Sequence, residues 1–285
     1  MTEFSDKLRR RFKVNEAASE PASPLQDRLG PSPAAEFLRR RLLRRAPPKT
    51  KVALPVGEDL ENAGGRCFVR RLRYPLAIAH GDHLLASART LDRERLAILA
   101  KDPTAAHLEV DRCLFLDTET TGLSGGAGTI VFLCGVAWFD GDDLVLEQIF
   151  LRAFAEEEAA LLRVAEHVAA RPHLVTFVGK SFDRHRLASR MAMHRIVTDI
   201  VRMPHLDLYH LARRVWRDRL PDTRLRTVEQ SILGVHRSDD LPGAEAPAAW
   251  LSWIDDATGP VDRVFEHNRL DVLSLVTLLG ALARA

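Results

Sequence analysis

Asp117 and Glu119 stand two residues apart at the end of the apolar run Leu114-Phe115-Leu116. In an extended strand successive side chains alternate faces, so both carboxylates point the same way. Two like charges held side by side repel, and the pair becomes stable at neutral pH when a cation sits between them, most simply a hard divalent metal. The run therefore reads as half of a metal site. A plainer reading stands beside it, in which Thr118 to Gly122 is a polar turn closing a strand and both acids are merely solvated.

Three stretches extend the pattern. The run DTETTGL resembles the first motif of the DEDD exonuclease superfamily, GKSFDRHRL with Asp183 opening a helix resembles the second, and EHNRLDVLSL with Asp271 near the start of the last helix resembles the third. The segments between them, GLSGGAGT, LPDTRLRTVEQSILG and DDLPGAEAP, are similar to the YprB-type, ribonuclease H-like branch of that superfamily. The similarity covers roughly residues 65 to 285. It implies a metal-dependent 3′-5′ exonuclease that hydrolyses phosphodiester bonds of single-stranded DNA or RNA.

The chemistry explains the need for four carboxylates. In-line cleavage of a phosphodiester requires charge stabilisation on the attacking and the leaving oxygen, which two divalent ions about 3.5 to 4 Å apart supply. By resemblance, Asp117 bridges both metals, Glu119 and Asp271 complete the site for the nucleophile's metal, and Asp183 holds the other, partly through water. Oxygen-only ligands favour Mg2+ or Mn2+ over zinc. His267 lies four residues before Asp271, so on a helix both project over one face, where the imidazole could orient or deprotonate the attacking water. The superfamily usually carries Tyr at that spacing or His one residue earlier. The other reading of His267 is a helix-surface or capping residue, with catalysis resting on the metals alone.

Residues next to the motif acids are the expected nucleic-acid contacts: Thr120, Gly122, Leu123, Lys180, Ser181, Phe182, Asn268 and, further off, Arg224. Gly122, Gly125, Gly126 and Gly128 would let a strand approach backbone, and the resemblance implies that Leu123 wedges against a terminal base. A flexible loop is the alternative. Lys180 and Ser181 could contact phosphate, although helix capping accounts equally well for Ser181. Arg224 belongs to a basic run with Arg213, Arg214, Arg217, Arg219 and Arg226, which is either a solvated helix face or a phosphate track. Asp207, Asp239 and Asp240 read as caps and turn residues, and His185, His205 and His210 as structural.

These side chains need a scaffold, and the periodicities supply one. Cys113 to Glu119, Ile130 to Phe139 and Leu144 to Leu151 read as sequential strands, the last two joined by the turn signal Asp140-Gly141-Asp142. Helices follow at Glu156 to Ala169, Phe182 to His194, Leu206 to Arg217, Leu225 to Leu233 and Val264 to Ala283, with a fourth strand at Leu174 to Val178. The expected fold is α/β, an RNase H-like mixed five-stranded sheet of three antiparallel strands then parallel strands, flanked by helices. Residues 1–64 read as a basic, low-order N-terminal arm with short helical segments at Leu8 to Lys13 and Phe37 to Arg45, residues 65–110 as a small lead-in whose runs Arg66 to Gly81 and His83 to Leu91 suggest strands and a short helix, and 111–285 as the exonuclease domain.

Composition narrows the class. The 285-residue chain can bury a sizeable core, and Cys67, Cys113 and Cys134 show no CxxC spacing, so reduced, buried thiols are expected rather than disulfides or a zinc site. No stretch approaches a membrane span and the N-terminus lacks the apolar core of a signal peptide, which points to the cytoplasm. Residues 1–80 carry 17 Lys+Arg against 9 Asp+Glu, the rest 24 against 30. A basic arm on an acidic body suits a protein that holds a polyanion near a metal site. Two alternatives stand beside the exonuclease: an RNase H-like nucleic-acid-binding scaffold without turnover, and a DDE-type strand-transfer enzyme, which would not need Asp-x-Glu on its first strand.

Overall fold

β-Branched, aromatic and leucine-rich runs form the middle of a sheet, and helices cover both of its faces. The computed structural model describes residues 50–122, 128–180 and 182–285. The expected arm helices at Leu8 to Lys13 and Phe37 to Arg45, and the candidates Leu123, Gly125, Gly126 and Ser181, lie outside the described residues. The strands are β1 (Glu58–Asn62), β2 (Gly65–Pro75), β3 (Ala79–His80), β4 (His83–Leu84), β5 (Cys113–Thr120), β6 (Val131–Asp140), β7 (Asp143–Phe150), β8 (His173–Thr176) and β9 (His205–Asp207). The helices are α1 (Arg93–Ala100), α2 (Glu157–Ala170), α3 (Asp183–Met193), α4 (Leu208–Trp216), α5 (Leu225–Val228), which continues as a π-turn over Glu229–Leu233, α6 (Ala246–Asp256) and α7 (Val261–Arg284).

One sheet has the strand order β1-β2-β7-β6-β5-β8-β9. β5, β6 and β7 are antiparallel neighbours, and β8 and β9 run parallel to β5, as the RNase H-like reading expects. The sheet has seven strands rather than five, because β1 and β2 extend it beyond β7. β2 overlaps the run Arg66 to Gly81 that reads as strand, whereas β1, Glu-Asp-Leu-Glu-Asn with one apolar residue, shows no strand pattern in the sequence. β1 also begins upstream of residue 65, within the segment read as arm. β9 has only three residues, too few to separate by pattern from the helix that follows it. Helix α6, in the Pro- and Ala-rich stretch after the π-turn, is a further element the periodicities do not reveal.

The turn Gly141-Asp142 between β6 and β7 has Gly141 at φ 60, the positive value that a two-residue hairpin loop favours. Alternation along β5 divides the core in two. Leu114 and Leu116 pack with Val164, Leu187 and Met191 of α2 and α3, whereas Phe115 packs with Val272, Val276 and Leu279 of α7. From Val272 onward α7 is apolar and buried almost all round, which suits a helix enclosed by the sheet and its neighbours. The three cysteines are buried free thiols, and burial pushes the Cys67 thiol up to about 11. Among the described residues no helix is long and apolar enough to cross a membrane.

Candidate active site

Asp117 and Glu119 lie on the α7 side of β5, and Thr118 faces the opposite side. Asp117 is directly opposite Gly135 of β6, which in turn is opposite Gln148 of β7. The missing side chain at Gly135 makes room for Asn268: a Cβ there would sit 2.2 Å from Asn268 Oδ1. Asn268 Nδ2 donates to Asp117 Oδ2 at 2.9 Å, while Gln148 Nε2 donates to Asn268 Oδ1 at 3.0 Å and to the Phe265 carbonyl at 2.7 Å. This chain of amides fixes which way Asn268 points. Asn268, expected at the nucleic acid, is 0% exposed, and its amide is engaged by Asp117 and Gln148.

Asp183 opens α3 and reaches the same strand from the other face, where Thr118 Oγ1 donates to its Oδ1 at 2.5 Å. The loop before it is held in an unusual shape. Val178 has φ 64, a conformation costly for a β-branched residue, and its N–H donates to Asp207 Oδ1 at 2.9 Å while Lys180 N–H donates to Asp207 Oδ2 at 3.0 Å. Asp207 also caps α4 through Tyr209 N–H. The residue read as a cap is therefore a cap and, in addition, the anchor of the loop that delivers Asp183.

From α7 come His267 and Asp271, one turn apart. His267 Nε2 lies 4.0 Å from Glu119 Oε1 and 3.6 Å from Asp271 Oδ2, so the helix spacing brings the ring to the carboxylates. Its Nδ1 lies 2.8 Å from Asp240 Oδ1. Arg237 pairs with Asp271 and with the fully buried Glu229, and its Nη1 lies 3.4 Å from Asp240 Oδ2. Ser274 Oγ donates to Glu229 Oε1 at 2.5 Å and His80 Nε2 lies 2.8 Å from Ser274 Oγ. Sequence reasoning misses Glu229 and Arg237 and treats Asp240 as a turn residue. The available signal is the charged string Arg237 to Asp240, whose partners on α7 only the fold brings near.

Electrostatics sets these acids apart. Burial, then the charges of Asp271 and Asp183, hold Asp117 well above the ordinary carboxylate range, against the opposing hydrogen bond from Asn268. Burial and the charges of Asp117, Asp271 and Asp183 do the same to Glu119. Asp183 is pushed up to about 6, chiefly by burial and opposed by the Thr118 hydrogen bond. Oxygen donors such as Asp117 and Glu119, raised by the acids beside them, fit a hard divalent ion, which would relieve the repulsion. As the side chains stand, Asp271 turns to Arg237 and Asp183 to Thr118, and among the described residues no three acidic, His or Cys side chains are grouped to clasp one ion.

The remaining candidates are spread more widely. Thr120 ends β5, its Oγ1 donating to the Gly122 carbonyl at 3.2 Å, and a Cβ on Gly122 or Gly128 would meet nothing within 4 Å. Lys180 is exposed, and Phe182, immediately before Asp183, is 40% exposed. Arg224 is a solvent-facing side chain at the start of α5, 3.9 Å from Asp222 and without an ion pair to the four carboxylates among the described residues. His205 is structural: Thr176 Oγ1 lies 2.8 Å from its Nε2, and burial pushes it down to about 3.

A family model described as the RNase_H superfamily matches residues 114–283, more than half of the chain and all four acids. The chain belongs to the RNase_H superfamily. This RNase H-like chain is also 34% identical over 219 residues to YprB of Bacillus subtilis (strain 168), an uncharacterized protein. The alignment covers 74% of this chain and 52% of YprB, so the chain spans about half the length of that relative. Among solved structures, the family B DNA polymerase of Pyrobaculum calidifontis matches 58% of the RNase H-like chain and 24% of its own, at 17% identity and a TM-score of 0.46.

Proposed function

We propose that this protein is a metal-dependent 3′-5′ exonuclease that acts in the cytoplasm on the free 3′ end of single-stranded DNA or RNA. One observation carries the reading. The charges of Asp183 on α3 and Asp271 on α7 raise Asp117 and Glu119 on β5, and Asp117, Asp183 and Asp271 are each held by a partner from a different element, Asn268, Thr118 and Arg237. Asp117, Glu119, Asp183 and Asp271 would hold two Mg2+ or Mn2+ ions. When bound, such ions neutralise charge on the attacking and leaving oxygens of a phosphodiester.

The protein's own residues do the rest. His267 Nε2 accepts a proton from water beside Glu119 and Asp271; the water oxygen bonds to phosphorus and the P–O3′ bond breaks with its electron pair on the leaving oxygen. Asn268 keeps Asp117 in one rotamer throughout. Phe182 offers an exposed ring on which a terminal base can stack, and Lys180, two residues earlier, a cation for phosphate. Purified protein with manganese should shorten a 5′-labelled single strand from its 3′ end, and Asp117→Ala should reduce this below detection. Wild-type protein that hydrolyses no DNA or RNA in manganese or magnesium would refute the assignment.

A further inference from the structure

His267 sits on α7 and Asp240 on the loop between the π-turn and α6, yet their side chains meet at 2.8 Å. Asp240 has little freedom to move. Its side chain is 4% exposed and its second oxygen faces Arg237, itself 4% exposed and tied to Glu229 and Asp271. A carboxylate only accepts hydrogen bonds, and Asp240 at 2.8 Å lies closer to Nδ1 than the competing donor Arg237 Nη1 at 3.4 Å, so the shorter contact favours a hydrogen on Nδ1 of the imidazole. In the neutral ring this leaves the lone pair on Nε2. That nitrogen is the one facing Glu119 at 4.0 Å and Asp271 at 3.6 Å, separations too long for direct hydrogen bonds. Backbone closes the ring in from the loop side: a Cβ on Gly243 would lie 3.6 Å from Nε2.

We propose that Asp240 is a positioning residue for hydrolysis: braced by Arg237, it fixes the orientation and tautomer of His267 so that the Nε2 lone pair meets the water at the carboxylates. This rests on the exonuclease reading and deepens it. The Asp240 carboxylate also faces the imidazolium that forms when Nε2 takes the proton, so one contact orients the ring before the step and offsets its charge after it. Asp240 itself touches neither substrate nor metal in this scheme.

Asp240→Asn separates orientation from bulk. The Arg237 cation takes the amide oxygen, the amide NH2 turns to Nδ1, and the ring must then carry its hydrogen on Nε2, where no lone pair is left for water. Long-range 15N–1H NMR on metal-free protein labelled at histidine, with His267 assigned through His267→Gln, should report hydrogen on Nδ1 in wild type and on Nε2 in Asp240→Asn. With manganese, kcat of Asp240→Asn should fall on the order of 100-fold or more, as for loss of a general base, and Asp240→Glu should recover part of that loss. KM and calorimetric manganese affinity should stay within roughly twofold of wild type, because the interaction matters only in the transition state. Wild-type kcat in Asp240→Asn, an unchanged tautomer, or a weakened manganese affinity that accounts for the lost rate would each overturn the proposal. Wild-type protein with no nuclease activity would instead sink the exonuclease reading, and the tautomer measurement would still decide the role of Asp240.

Discussion

At Asp117 the direction of a carboxylate depends on a buried amide. Asn268 donates to Asp117 and accepts from Gln148, and nothing else in the described structure hydrogen-bonds the Asp117 side chain. Asn268→Ala removes the donor and leaves Gln148 Nε2 with the Phe265 carbonyl alone. Loss of a buried hydrogen bond of this kind lowers stability by about 1–3 kcal/mol, which urea unfolding would measure. Activity should fall more steeply than stability accounts for, because Asp117 becomes free to rotate. The sequence places Asn268 beside Asp271 on the last helix, and helical periodicity alone cannot say whether such a residue faces solvent or a strand.

At the scale of elements, the site depends on how closely α7 approaches β6. Gly135 is the point of contact, and an added methyl would meet Asn268 Oδ1 at 2.2 Å and Cγ at 2.8 Å. Gly135→Ala must therefore push Asn268 or the helix away, an overpacking that costs about 1–3 kcal/mol. Combining it with Asn268→Ala removes the clash, so the double variant should lose less stability than the sum of the two single losses. Strict additivity in thermal or urea unfolding would mean that Gly135 acts through something other than Asn268. The reading of β6 from Ile130 to Phe139 is legible from its apolar run, yet the glycine within it gives no sign that its role is to admit a side chain from α7, 133 residues further on.

Across the whole molecule two sets of acids respond to pH in opposite senses. Glu147 is buried against Arg71, Arg163 and His167; burial alone would raise it, but these hydrogen bonds win and hold it below its ordinary value. It contributes stability above its unfolded value near 4.5 that is lost as pH falls. Asp183, pushed up to about 6, has the opposite sign: its folded form prefers the proton, so its contribution is full below about 3.8 and lost as pH rises through 6. Asp117 and Glu119 prolong that loss to higher pH. Without metal, Asp183→Asn should therefore gain thermal stability relative to wild type as pH rises from 5 to 8, by on the order of 1–3 kcal/mol. Manganese should raise the melting temperature of wild type at pH 8 and do so less in the variant. Parallel pH profiles for the two proteins, followed by thermal unfolding, would show that the Asp183 carboxylate is not under this strain.

The sequence by itself determined on what kind of element each candidate acid sits. Asp117 and Glu119 at a strand end, Asp183 opening a helix and His267 one turn before Asp271 are all matters of local spacing, and short-range backbone geometry fixes spacing. The three central strands and the parallel pair beyond them followed from the same periodicities, apart from the short β9. Only the tertiary structure decided what surrounds those groups. Asn268 faces Asp117 because Gly135 lets a helix close on a strand, and Asp240 faces His267 because a loop with no periodic pattern is pinned by Arg237 to Glu229 and Asp271. Contacts between residues far apart in the chain depend on packing, and packing leaves no signature in spacing.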